Sequence, residues 1–347
     1  MATDLWQGLE ISVVNRVSSL ETALNEKEPT MKTVHIAFVF VLLTGGFVVS
    51  PAAESTGFLP GQRSLFEAHN CYPYRGLWNN RIDKALDAGF PLAIEIDVMW
   101  HAADEEGPGR LVVAHNEPLT GDEPTLEAYF FERVRPYVER ALKDAAKTDW
   151  PIITLNINDI RSNRAEPFEE VLRLAEKYDS WFCAAIKGAT PQPAAPIEVK
   201  PILALAGGGR LETQHFYDAV PEGGRLRIFG SGNPNTPADN FRRWINYSWS
   251  AVEPEGQNRA TEWNEEKETQ LRTLTQNAHE QGYWIRFYSL NGHPAAAGAR
   301  LGLSPGYNFG SLDTVKIRWA AAFKAGVDFI ATDQIGDAKK FISTMDK

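Results

Sequence analysis

The stretch EEKETQLRTLTQNAHEQ (residues 265–281), followed by Gly282, Tyr283 and WIRFY (residues 284–288), decides the fold class. Leu271, Leu274 and Ala278 fall on one face at helical spacing, and charged residues cover the opposite face. Gly282 is a stop signal for that helix. The apolar run Trp284–Tyr288 then reads as a strand. The same alternation extends in both directions. Strands are predicted at Ser64–His69, Ala93–Val98, Leu111–Ala114, Ile152–Ile157, Pro201–Leu205, Leu226–Phe229, Trp244–Tyr247 and Val327–Ala331. Helices are predicted at Asn79–Ala88, Thr125–Ala146, Pro167–Tyr178, Asp239–Trp244, Ser311–Ala325 and Ile335–Met345. Strand–helix alternation argues for a parallel sheet with helical crossovers. About eight such units favour a closed α/β (β/α)8 TIM barrel, here over residues 60–345, rather than an open doubly wound sheet. No Gly-x-Gly-x-x-Gly turn opens the first helix. Gly207, Gly208 and Gly209 follow a strand but lack the lysine and hydroxyl of a P-loop, and read as a flexible loop.

The chain has 347 residues, 35 Lys+Arg against 45 Asp+Glu, and a net charge of −10. That balance argues against binding along a nucleic-acid backbone or docking on anionic lipid. It leaves room for a local phosphate pocket, and no obligate protein partner is evident. Two cysteines, Cys71 and Cys183, are too few for a disulfide framework and are expected as free thiols, with one disulfide as the alternative.

Residues 31–53 have the order of a secretory signal. Lys32 supplies the basic end, Ile36–Val49 the short apolar run, and Ser50–Ala53 the small residues for cleavage. The run is shorter than the roughly 20 residues of a membrane span. Translation is expected to begin at Met31, with residues 1–30 an upstream extension. The mature chain would be secreted or periplasmic, or membrane-anchored if the segment stays uncleaved.

Polar residues close several apolar runs in the first half: His69 and Asn70, Glu95 and Asp97, and His115. Period two places Glu95 and Asp97 on one face of a strand. Two carboxylates turned into a barrel repel each other unless something positive lies between them. A divalent cation with hard oxygen ligands, Ca²⁺ or Mg²⁺, meets that need. Two histidines at neighbouring strand ends could then serve as acid and base.

These residues resemble the phospholipase C-like phosphodiesterase superfamily of TIM barrels. His69-Asn70-x-Tyr72 is similar to the His-Asn-x-Tyr of phosphoinositide-specific phospholipases C. Ala88-Gly89 with Glu95-x-Asp97-x-x-Trp100, then Val112–His115 with Leu119-Thr120, resemble the motifs that follow. Trp150–Asn156 resembles the next strand. Gly326–Asp333 and Trp284–Tyr288 are similar to the closing strands of glycerophosphodiester phosphodiesterases. The layout also resembles the fungal "altered inheritance of mitochondria" branch. The resemblance implies His69 and His115 as the catalytic pair and Asn70, Glu95 and Asp97 as metal ligands. It implies a phospholipid or glycerophosphodiester substrate, hydrolysed or cyclised.

One departure stands out. Asn156 falls where the family carries an acidic ligand, and Asn158 where it carries a lysine. An asparagine carbonyl can still ligate a hard cation, with one negative charge fewer. Asp159 could reach in from the loop instead. Arg286 is a candidate phosphate contact or ion-pair partner, and Trp100 a candidate pocket wall. Asp333 would orient a rim group or cap the helix after it. The competing reading is a catalytically degenerate barrel that binds lipid or sugar.

Overall fold

The computed structural model describes residues 58–344, apart from residue 75 and residues 104–106 and 145–149. The expected signal segment and upstream extension lie outside the described residues.

Eight parallel strands close a barrel. In chain order they are β1 (Leu65–Ala68), β2 (Leu92–Glu95), β3 (Ile153–Ile157), β4 (Ile202–Ala206), β5 (Ile228–Ser231), β6 (Arg242–Ser248), β7 (Trp284–Tyr288) and β8 (Phe329–Thr332). Each strand pairs with its sequence neighbour, and β1 pairs with β8 to close the ring. β4, Ile-Leu-Ala-Leu-Ala, is buried along its whole length, as a strand covered by helices outside and side chains inside must be.

The helices follow the expected logic. The 265–280 helix begins where the Asn264 side chain accepts the Lys267 N–H and ends before Gly282, whose φ is +83°. The Leu312–Lys324 helix is capped in the same way by Ser311. At the amino end of the barrel, the ring of Phe58 packs on Trp150 and Trp284 at 5.2 and 5.1 Å.

Two predicted elements take a different form. Leu111–Ala114 is not a barrel strand. Arg110–Val113 pairs antiparallel with Val98–His101, forming a hairpin beyond the end of β2. A four-residue apolar run has the same appearance in a hairpin and in a barrel, and only the pairing partner separates them. Asp239–Trp244 is not a helix either. The Asp239 carboxylate accepts the N–H groups of Phe241 and Arg242, a turn that competes with helix formation and leads into β6. Cys71 and Cys183 are both buried free thiols.

Candidate active site

Barrel sites lie at the carboxyl ends of the strands, and here that end holds a cavity of about 370 Å³. His69, Asn70, Glu95, Asp97, His115, Asn158 and Arg286 all line it. Residues far apart in sequence converge because β1, β2, β3 and β7 end on the same side of the ring.

His69 leaves the end of β1, and its Nδ1 lies 3.0 Å from the Asp333 carboxylate just past β8. That oxygen also accepts Asn70 Nδ2 at 2.9 Å, and the other Asp333 oxygen accepts Arg81 Nη2 at 3.2 Å. The 2.8 Å approach of Asn70 Nδ2 to His69 Nδ1 is then two donors converging on one acceptor. On the far side of the ring, His69 Nε2 stands 3.4 Å from Glu95. Burial opposes a charged His69, but Glu95 and Asp333 outweigh it and raise its pKa. Burial likewise opposes a charged Asp333, yet Arg81, His69 and Asn70 hold its carboxyl well below the usual range.

The second imidazole comes from the hairpin. His115 Nδ1 hydrogen-bonds the buried Asp97 carboxylate, and its ring stacks on Tyr72 at 5.2 Å with 2° between the planes. Burial pushes Asp97 up to about 7, against the pull of the His115 hydrogen bond. Asp159 is 3.9 Å from His115 Nδ1 and pairs with Arg161 at 2.8 Å.

Beneath both imidazoles lies an arginine between two glutamates. Arg286, 1 % exposed, donates Nε to Glu67 at 2.5 Å, Nη2 to Glu95 at 3.2 Å, and Nη1 to Asn246 at 2.9 Å. Burial resists charge on Glu95, but His69, Arg286 and the Asn70 N–H lower its pKa. Burial dominates at Glu67 and raises its pKa despite Arg286. The expected pair, Glu95 and Asp97, is thus served separately: Arg286 lies between Glu95 and Glu67, and Asp97 bonds His115.

This arrangement tests the expected cation ligands. Asn156 is fully buried, donates Nδ2 to Glu67 at 3.2 Å and accepts the Asn158 N–H at 3.1 Å, and does not line the cavity. The Asn70 Oδ1 accepts the Tyr72 hydroxyl at 3.0 Å. Glu95 is taken up by Arg286, by Asn158 Nδ2 at 3.2 Å and by the Asn70 N–H at 2.9 Å. Asn70, Glu95 and Asp97 thus line the cavity with these oxygens already engaged in protein bonds, and Asn156 does not reach it. A different trio, Asp97, His115 and Asp159, brings one ligand atom each within 4.8 Å of the others. Trp100 also differs from its expected place. It packs partly buried on the hairpin against Gly109, where a Cβ would come within 2.7 Å of its ring.

Sequence reasoning passed over Glu67, Arg81 and Asn246. Glu67 carried a signal, a lone acid within the apolar run Leu65–Ala68. Arg81 and Asn246 carried none.

No family model matches the chain, and no curated protein matches it. Among solved structures, the phosphatidylinositol-specific phospholipase C from Listeria monocytogenes aligns over 83 % of this chain and 94 % of its own, at 14 % identity and TM-score 0.47. A glycerophosphodiester phosphodiesterase from Parabacteroides distasonis aligns over 82 % and 98 %, at 12 % identity and TM-score 0.44. A GH5 endo-β-1,4-glucanase from Bacillus licheniformis aligns over 84 % and 59 %, at 14 % identity and TM-score 0.42.

Proposed function

We propose that this chain cleaves phosphodiesters by acid–base catalysis, with His69 and His115 as the proton carriers. One observation carries the reading: two imidazoles line one cavity, and each has a buried carboxylate on its Nδ1. A carboxylate there fixes the ring; at His115 it leaves Nε2 to a ligand, while at His69 the ligand would share Nε2 with Glu95, 3.4 Å away.

A phosphodiester lodged between the rings would be attacked at phosphorus by a hydroxyl oxygen. One imidazole takes the proton of that hydroxyl as the new P–O bond forms. The other gives a proton to the departing oxygen as the old P–O bond breaks. Attack by water releases a monoester, and attack by a hydroxyl of the substrate itself releases a cyclic phosphate. Arg286 places a fixed positive charge in the floor, where it moderates the negative charge of Glu67 and Glu95 facing an anionic ligand. The substrate class we favour is a phospholipid or glycerophosphodiester, met outside the cytoplasm after export through residues 31–53.

A second reading concerns Ca²⁺ or Mg²⁺. Asp97, His115 and Asp159 would hold the ion, which would supply Lewis-acid polarisation of a phosphoryl oxygen. His115 as a ligand would then cease to be a proton carrier.

The deciding experiment is ³¹P NMR of the full chain with glycerophosphodiesters, lysophospholipids, phosphatidylinositol and sphingomyelin. It is run with Ca²⁺, with Mg²⁺ and with EDTA. A new monoester or cyclic resonance in EDTA supports the two-histidine reading. Turnover only with metal supports the second. No turnover of any diester from a folded sample refutes both and leaves the degenerate binding barrel.

A further inference from the structure

Two half-sites, His69 with Asp333 and His115 with Asp97, come from separate parts of the fold, and something must hold them in register. Tyr72 touches both. Its ring lies parallel to His115, 5.2 Å away, and its hydroxyl donates to Asn70 Oδ1 at 3.0 Å. It is 2 % exposed and packs at its other side on Trp78, 5.3 Å between ring centroids. We infer that Tyr72 is the positioning residue that couples the two halves of the acid–base pair, which deepens the phosphodiesterase reading and rests on it.

The argument turns on Asn70. Its φ is +57°, in the left-handed region that asparagine tolerates better than other side chains, and the surrounding contacts select it. Three bonds do so. The backbone N–H reaches Glu95, Nδ2 reaches Asp333, and Oδ1 receives the Tyr72 hydroxyl. A side-chain amide has two ends that differ only in hydrogen-bonding sense. The Tyr72 O–H fixes the carbonyl end and so turns the NH₂ end toward the oxygen shared with His69 Nδ1. Without that hydroxyl, the carbonyl end loses its donor and the amide is held by the Asp333 bond alone, which loosens the donor set that orients Asp333 toward His69. The ring of Tyr72 acts separately on His115. Asp97 holds one edge of that imidazole, and the stack fixes the plane about which it would otherwise turn. Hydroxyl and ring thus serve different histidines, and substitutions can separate them.

The test uses the full chain and two variants, Y72F and Y72L, with imidazole ¹⁵N spectra at one fixed pH and steady-state kinetics. Y72F keeps the ring and the packing. It is expected to shift the His69 nitrogens, leave those of His115 in place, and lower kcat about tenfold with KM little changed. Y72L is expected to shift both histidines, and recovery of the His115 signal in Y72F relative to Y72L marks the stack as the cause. Y72F spectra identical to wild type, or His115 moving as much as His69, would overturn the inference. If the wild-type chain turns over no diester, the spectra still decide the role of Tyr72, and only the phosphodiesterase reading falls.

Discussion

β8 carries an aspartate at each end, and the two are buried to the same degree but used differently. Asp328 lies at the amino end. It accepts the N–H groups of Gly61 and Ile285 at 2.8 Å each and His279 Nε2 at 2.9 Å. Asp333, five positions on, accepts from His69, Asn70 and Arg81. Burial is the largest influence on both, and it wins at Asp328, whose pKa is raised. It loses at Asp333, where Arg81 and its neighbours lower the pKa. The Asp328 network fastens the incoming chain to the base of the barrel. The Asp333 network holds an imidazole at the wall of a cavity. A buried His–Asp pair is therefore not by itself a sign of chemistry, and the cavity beside it makes the difference.

Substitution of the histidines tests that contrast most severely. H69A and H115A should each lower turnover by about two to four decades, the ordinary contribution of a general acid or base. H279A should lower the melting temperature yet leave turnover within about twofold. Equal losses of activity from H69A and H279A, measured by ³¹P assay, would erase the distinction between the two ends.

The next effect is on stability. R286M leaves Glu67 and Glu95 facing each other without compensation, and should cost about 3–5 kcal/mol in urea unfolding, the usual penalty for breaking a buried ion pair. Pairing it with E67Q should recover a large part of that cost. No recovery would mean that Arg286 acts through packing alone.

The smallest effect sharpens the comparison through pH. A carboxyl with a lowered folded pKa stabilises above its unfolded value near 3.8, and that stability is lost as pH falls toward the folded value. Asp333 is of this kind. Asp328 has a raised pKa, so its contribution is largest below 3.8 and is lost as pH rises through its folded value. Stability measured between pH 3 and 7 should show D333N costing more as pH rises and D328N costing less. Slopes of the same sign would show that the two environments are alike.

Much of this was legible in the sequence, for reasons that also explain what was not. His69, Glu95 and Asp97 close or follow apolar runs, so a local pattern places them at the strand ends. The chain order of β1 to β8 makes sequence neighbours spatial neighbours, and alternation therefore sufficed for the barrel. Arg286 with Glu67 is a contact across 219 residues, and its partners follow only once inside and outside faces are distinguished. Strands buried on both faces erase that distinction. Asn156, which the resemblance puts at a ligand position, is buried and bonded to Glu67 and Asn158, partners that no local pattern announces. The run before His115 is a strand, as its apolar residues indicate, but its partner is Val98–His101 rather than a barrel strand, which the run itself does not reveal.

That hairpin also sets the order in which the site is assembled. Asp97 and His115 are 18 residues apart, so their half forms from a short loop as soon as the hairpin folds. His69 and Asp333 are 264 residues apart, and they meet only when the first strand docks against the last. A nascent chain still lacking β8 can hold one imidazole in place but not the other. The two-histidine arrangement is thus completed by ring closure.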